Sequence, residues 1–474
     1  RVVSARRTDL RAGRHAINAI LDSVRVSSEI LARSSFCIML GRYNLDVLIR
    51  WLAAAAGFFL FFRKGDAVKW FDVLVVVLGV VLLADRAVVE LLRREARRIR
   101  FVGILLACVA LGIVLAEFLN SGFGPSFGSE ALKSHARLLF NIATFMCAAL
   151  LAARGGKQLL FLSIAVLLAP LAALPAYANL QEGVFVHGGR LAGYFQTPII
   201  FGAWMLVTFI IGLGVMPSLR DRSHRAVLFV WLVVLANFIL WSASRAAWIG
   251  LLAALAAYLA HEIRRRRAGS AFQIALVALG AFALGYTFLP QAVGMRGFVS
   301  YRAANLVEST VMFSPERVSG QEHSRTVPDA ARFVLDHPRG TGFTYAVYGD
   351  GGAVVRLTPA SNNSFLELAI YGGFFSVLAL AVLIGAACRV FWGMLWNSPE
   401  GSARPPSLRL AWAIAGGAFL VDIFFTQAIL WRHTWFMLGM LVGATYLALP
   451  SAKGTHPGEF PVARLPDHET RPAG

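Results

Sequence analysis

Long apolar blocks separated by short polar joints set the pattern of this chain. The blocks fall at roughly 46–62, 67–85, 101–120, 138–153, 158–175, 196–216, 226–243, 246–260, 271–289, 365–388, 410–430 and 434–449. A helix rises about 1.5 Å per residue, so most of these runs match a hydrocarbon core of about 30 Å. The pattern predicts an all-α polytopic membrane protein with about 12 transmembrane helices, nine before the one long polar interval at 290–364 and three after it. Connections elsewhere are short, and a loop of this length is more often functional than incidental. Inside it, 328–336 has the spacing of a short amphipathic helix that stops at His337-Pro338, and a turn follows at Gly340-Thr341-Gly342.

Composition agrees with that class. Of the 474 residues, 57% are hydrophobic and 15% charged, against about 25% charged in soluble domains. The formal charge of +19 would suit nucleic acid, but the arginines cluster at the joints, where their role is to orient helices in a lipid bilayer. The clusters at 86–100, at Arg220, Arg222 and Arg225, and at Arg264, Arg265, Arg266 and Arg267 all fall on one side if every run spans. That side collects 29 Lys and Arg, against seven on the other outside the long loop. Positive joints stay cytoplasmic, so both termini are expected there and the 290–364 loop on the opposite face. Residues 1–45 carry eight Arg and no apolar core fit for a signal peptide. Ile17, Ile20, Leu21, Val24 and Leu31 recur there at helical spacing, which suits a basic cytoplasmic segment with an interfacial helix. The tail at 450–474 is expected to be disordered. Four Cys without metal-ligand spacing point to small buried hydrophobes, not to a disulfide framework or a zinc site.

Candidate chemistry is concentrated in arginines on the loop side. Arginine stays charged at any physiological pH, and its planar fork matches phosphate oxygens. Arg190 in Gly189-Arg-Leu-Ala-Gly193, Arg245 in Ser242-Ala-Ser-Arg245 and Arg325 in His323-Ser-Arg325 are the candidates, with interfacial anchoring as the ordinary alternative. Asp422 lies well inside an apolar run, where a charge is costly unless paired, so it is expected to partner an arginine of the site. Asp72, three residues after Lys69, is expected to form a local ion pair. Ser364 and Glu367 have capping-box spacing, and His187, His323, His337 and His433 are expected to be solvated on the loop side. No Gly-rich loop followed by Gly-Lys-Ser/Thr is present, which argues against an ATP-driven machine.

Four segments, in order, resemble the O-antigen ligase and O-antigen polymerase superfamily of bacterial envelope glycosyltransferases. They are Gly189-Arg190-Leu-Ala-Gly193-Tyr-Phe195-Gln-Thr-Pro198, Ser242-Ala-Ser244-Arg245, Ser324-Arg325 with Asp336-His-Pro338-Arg-Gly340-Thr-Gly342, and Asn362-Asn363-Ser364-Phe365-Leu366-Glu367. The resemblance covers about 185–385. It implies an enzyme of the bacterial inner membrane that transfers a glycan from an undecaprenyl-pyrophosphate carrier to an acceptor hydroxyl of a glycan or lipid-linked acceptor. The reaction would take place on the periplasmic side, with no nucleotide or metal cofactor. By the same resemblance Arg190, Arg245 and Arg325 would bind the donor's pyrophosphate. Asn362 would stand where the ligases carry a histidine thought to help deprotonate the acceptor, and Asn cannot take a proton near neutral pH. Two other classes compete: a transporter or flippase of lipid-linked sugars, and a non-catalytic envelope assembly protein. Transporters more often carry pseudo-symmetric halves with broken helices at matching positions, and no such match is visible between the halves here.

Overall fold

The computed structural model describes residues 41–60, 66–121, 129–173, 198–219, 221–265, 318–343, 363–396, 408–424 and 431–448. It also describes 186–187, 190–191, 347–348, 354–355 and the single positions 280, 283, 426 and 429. The segment at 1–40, almost all of the run at 271–289, the tail at 450–474 and Asn362 lie outside the described residues. The described architecture is helical. In chain order the helices are α1 Gly41–Leu60, α2 Asp66–Ala84, α3 Arg86–Arg94, α4 Ala96–Ser121, α5 Ser129–Arg154, α6 Gly156–Leu168, α7 Pro198–Val215, α8 Arg222–Trp241 and α9 Arg245–Arg264. They continue with α10 Val318–Asp336, α11 Ser364–Trp396, α12 Leu408–Phe424 and α13 Arg432–Val442. Two small antiparallel hairpins, β1 Val186–His187 with β2 Arg190–Leu191 and β3 Val347–Tyr348 with β4 Val354–Val355, are the described strands.

Six of these helices are long and apolar enough to cross a bilayer, spanning Ala96–Asn120, Leu132–Arg154, Pro198–Ser218, Arg222–Trp241, Arg245–Arg264 and Ser364–Trp396. Two shorter apolar stretches are Trp70–Ala84 and Gly156–Leu171. They mark the chain as a membrane protein. Helix α7 is the hub: 89% of its apolar window is buried inside the protein, against 28–56% in the other five. A helix that is apolar on every side belongs in the interior, and α7 packs against α6, α8, α9 and α12. The other long helices turn apolar side chains outward, as Ile104, Leu111, Leu139, Val230 and Leu378 show.

Contacts between helix ends fall into two sets. At one end Arg154 joins Asp46 of α1 at 3.0 Å and Asp85 at 2.6 Å, Arg409 donates to the Ala153 carbonyl at 2.8 Å, and Arg264 lies over Trp396. This is the basic end. At the other, Arg432 pairs with Asp72, His433 meets the Leu60 carbonyl at 2.9 Å, and Asn363 donates to the Phe424 carbonyl at 2.8 Å. This is the loop end. The joint at 86–100 is not a plain loop. Asp85 accepts from the Ala87 amide at 3.1 Å and starts α3, which buries Val88 and Leu91 and carries Arg93 and Arg94 in its last turn, where the helix dipole favours cations.

Helix α11 is broken at Gly373, whose φ of 66° and ψ of −173° interrupt 33 residues. Unbroken, that length would reach about 50 Å, well beyond a hydrocarbon core of about 30 Å. The part at 374–396 is long enough to span, and 364–372 forms a separate half-helix at the loop end. The break frees backbone groups, and the loop satisfies them. The Phe374 amide, which would have bonded Ile370, donates instead to the Pro338 carbonyl at 3.0 Å. The Ile370 carbonyl accepts from the Thr341 amide at 2.8 Å and its hydroxyl at 2.9 Å, and the Tyr371 carbonyl accepts from the Gly342 amide at 2.9 Å. Ser376 bridges the Gly372 carbonyl to that of Val109 on α4, both at 3.0 Å. The expected helix stop at His337 and the turn after it are present, with the His337 amide bonded to the Phe333 carbonyl at 2.9 Å, while the helix itself begins earlier, at Val318. His337 also stacks on Phe333, with ring centroids 4.3 Å apart.

Candidate functional site

The turn between α8 and α9 is the most fully built feature at the loop end. The Ser242 hydroxyl donates to the Ile239 carbonyl at 2.7 Å and accepts from the Ser244 amide at 3.2 Å. Ser244 then caps α9, its hydroxyl accepting from the Ala247 amide at 3.3 Å. Ala243 between them has φ 46°, the one left-handed non-glycine among the described residues, a conformation that costs an L-residue about 1–2 kcal/mol. Trp248 closes the underside by donating to the Ile239 carbonyl at 3.1 Å. On the hub side, Gly202 of α7 leaves no room: a Cβ there would come within 2.5 Å of the Ser242 hydroxyl and 3.1 Å of the Ser244 Cβ. Arg245 is thereby fixed as the first residue of α9, partly buried, at a helix N-terminus where backbone N–H groups favour anions.

Arg190 opens β2, paired with His187, and β2 lies against α7 and α8. The backbones bearing Arg190 and Arg245 therefore belong to the same α7–α8–α9 corner of the loop end. Arg325 lies within α10, whose C-terminal turn is clipped into the α11 break. The side chains of Arg190 and Arg325 lie outside the described residues.

The re-entry segment works differently from the capping box that its sequence suggests. Asn363, not Ser364, caps α11, its side-chain oxygen accepting from the Phe365 and Leu366 amides at 2.8 and 3.0 Å. The hydroxyl of Ser364 reaches the Thr426 carbonyl at 2.7 Å, and Glu367 accepts from the Ile429 amide at 3.1 Å. Both side chains thus hold backbone groups of Thr426 and Ile429, the two described positions between α12 and α13. Glu117 at the loop end of α4 plays a parallel part, accepting from the Phe343 amide just after the clipped turn, while Asn120 donates to the Gly340 carbonyl at 3.0 Å.

Asp422 is buried, and of its expected partners only the Arg245 side chain is among the described residues. It is 3% exposed in the last turns of α12, and α9 comes so close to α12 that a Cβ on Gly250 would lie 3.2 Å from the Ala418 carbonyl. Asp422, one turn beyond Ala418, is thus near the depth of Ala246. Yet it forms no ion pair with Arg245 or any other arginine among the described residues, and its Oδ1 has no hydrogen-bond partner. Its backbone carbonyl accepts from the Thr426 hydroxyl at 2.9 Å. Asp72 pairs across the bundle with Arg432 at 2.8 Å, because α2 and α13 bring their loop ends together, while the side chain of Lys69 lies outside the described residues. His433 is buried, not solvated, between the Leu60 carbonyl and the Trp204 ring, 5.3 Å away. Sequence reasoning passed over Arg432 and Asn363. The available signal was a polar Arg-His-Thr insert at the head of an apolar run, and the second Asn of an Asn-Asn pair ahead of a helix.

Among the described residues no group of three or more His, Cys, Asp or Glu could hold a metal ion. No protein-family model, curated protein or solved structure matches the chain.

Proposed function

We propose that this protein is a polytopic glycosyltransferase of the bacterial inner membrane, with about twelve spans, both termini cytoplasmic and 290–364 on the periplasmic face. It transfers a glycan from an undecaprenyl-pyrophosphate carrier to an acceptor hydroxyl. The observation that carries the proposal is the rigid Ser242-Ala-Ser-Arg245 turn, which puts a guanidinium and a helix N-terminus side by side at the loop end, next to the hairpin that bears Arg190. In the transfer the acceptor oxygen forms a bond to the anomeric carbon while the bond from that carbon to the pyrophosphate oxygen breaks. Negative charge then grows on the departing pyrophosphate, where Arg190 and Arg245 stabilise it, aided by the α9 dipole. Arg325 adds a contact to the donor from the loop. Asn362 orients the acceptor hydroxyl as donor and acceptor of hydrogen bonds, and the hydroxyl proton leaves to water. Asp422, buried near the depth of Ala246, would take part only by pairing with Arg190 or Arg325, whose side chains lie outside the described residues.

The test is glycan transfer by the purified protein, without an ion gradient. Arg190→Lys and Arg245→Lys should each reduce turnover by about 10²–10³-fold at equal abundance, because a point charge cannot reproduce the fork. Near wild-type turnover in both would make these residues interfacial anchors. One observation favours a transporter of lipid-linked sugars: α11 is broken, as transporter helices often are. Against it, the backbone groups freed at the break are bonded by the loop backbone, and gradient-dependent movement without transfer would be needed to revive it.

A further inference from the structure

Arg432, Asp72 and Arg137 meet where α13, α2 and α5 converge at the loop end. The Arg432 guanidinium pairs with Asp72 at 2.8 Å and lies 5.6 Å from the centre of the Phe140 ring. Arg137, one turn from Phe140 toward the loop end, is exposed and close enough to act electrostatically on both Asp72 and Arg432. It forms no ion pair of its own among the described residues. Among the described residues, two guanidiniums thus face one carboxylate. Asp72 occupies one edge of the Arg432 fork and fixes it, while the fork of Arg137 remains uncommitted.

Toward the middle of the span, the described side chains beneath the cluster are apolar and face outward. From Asp72 toward the middle of the span, α2 exposes Val73, Val76 and Val80 at 51%, 55% and 55%, and α5 exposes Leu139 at 63%. Trp70, 57% exposed, sits at the level of the charges, the depth at which indole rings mark the membrane interface. The two helices close up deeper in, where a Cβ on Gly79 would lie 2.9 Å from the Cys147 sulfur. The seam is therefore a shallow groove with a cationic head and an apolar run beneath it.

We propose that this groove binds one anionic phospholipid of the leaflet at the loop end, its phosphate held by Arg137 and Arg432 and its acyl chains laid along α2 and α5. A phospholipid carries its phosphate at the level of the interface and its acyl chains directly beneath, the order in which the guanidiniums and the apolar stripe stand here. Guanidinium forks suit phosphate oxygens, and the apolar stripe starts where acyl chains would start. The site lies on the α2–α5–α13 side of the bundle, away from the α7–α8–α9 corner, and it does not depend on the reaction proposed above.

The full-length protein, delipidated in detergent and titrated with phosphatidylglycerol, tests this by native mass spectrometry. Arg137→Gln should weaken the tightest phosphatidylglycerol adduct about tenfold, the expected loss for one charge-assisted hydrogen bond. Arg137 is exposed and unpaired, so this variant should fold. Phosphatidylcholine of the same chains should bind less tightly and ignore the substitution. Arg86→Gln, an equal charge loss at the basic end, should leave that adduct unchanged. Unchanged phosphatidylglycerol binding in Arg137→Gln, or an equal loss in Arg86→Gln, would overturn the site. Displacement by undecaprenyl phosphate at lower concentrations than phosphatidylglycerol would assign the groove to the carrier and refute the phospholipid.

Discussion

Replacing Gly340 by Ala should undock the loop from α11. Gly340 has φ 81°, and a Cβ on it would lie 2.7 Å from the Tyr371 carbonyl oxygen and 2.8 Å from the Gly372 carbonyl carbon, both rigid backbone atoms. The chain cannot relieve this by turning a side chain, so the turn itself must lift. Lifting it loses the bonds Thr341 to Ile370, Gly342 to Tyr371 and Phe374 to Pro338. At about 0.5–1.5 kcal/mol net for each bond, giving up all three should cost roughly 2–4 kcal/mol of docking. Amide exchange at Thr341, Gly342 and Phe374 reads that loss directly and should accelerate by about 10² if exchange follows local opening. Gly385→Ala is the matched control: nothing lies within 4 Å of its Cβ position, and within a helix it should stabilise by about 0.5–1 kcal/mol. If Gly340→Ala leaves exchange at those three amides unchanged, the docking geometry is wrong and the loop is not clipped into the break.

Three further outcomes are expected. Glu367→Ala removes the acceptor for the buried Ile429 amide and should cost about 1–3 kcal/mol in thermal or chemical unfolding, while Glu367→Gln, which keeps an acceptor, should cost less; equal losses would refute the anchoring role. Asp422→Asn should leave stability unchanged or raise it, because no cation partners this buried carboxyl among the described residues, and a large loss would reveal an ion pair. Asp221 caps α8 through Ser223, whose hydroxyl and amide hold its carboxyl below the usual range. A lowered folded value stabilises above the unfolded value near about 3.9 and is lost as pH falls through the lower one, so Ser223 amide protection should be flat from about pH 5 to 8 and fade only in stronger acid.

The helices were legible because the membrane forces a period on the sequence: apolar runs at 101–120, 196–216 and 226–243 could only be helices once backbone groups must be satisfied within the segment. Joint chemistry was partly legible too. The His337 stop and the following turn follow from Pro338 and the two glycines, and the capping Ser of Ser242-Ala-Ser-Arg has a local signature. What was not legible is what depends on distant partners. Glu367 looked like a capping residue because it stands three after Ser364, yet the stretch at 424–429 competes for it and wins. Asp72 looked paired within its helix, but Arg432 is only beside it once α2 and α13 are packed. Gly373 sat unnoticed in an apolar run, since a broken helix in a membrane requires outside donors and acceptors, and nothing local announces that 338–342 supplies them.

That exchange of backbone bonds makes the loop and the spanning helix a single inheritable part. A chimera that carried another protein's loop on this α11, or this loop on another helix, would strand the Ile370 and Tyr371 carbonyls and the Phe374 amide where lipid offers no replacement. Grafting at the level of 318–396, which carries both sides of the joint, keeps every one of those groups supplied, whereas a cut placed at the seemingly natural boundary near Ser364 divides them.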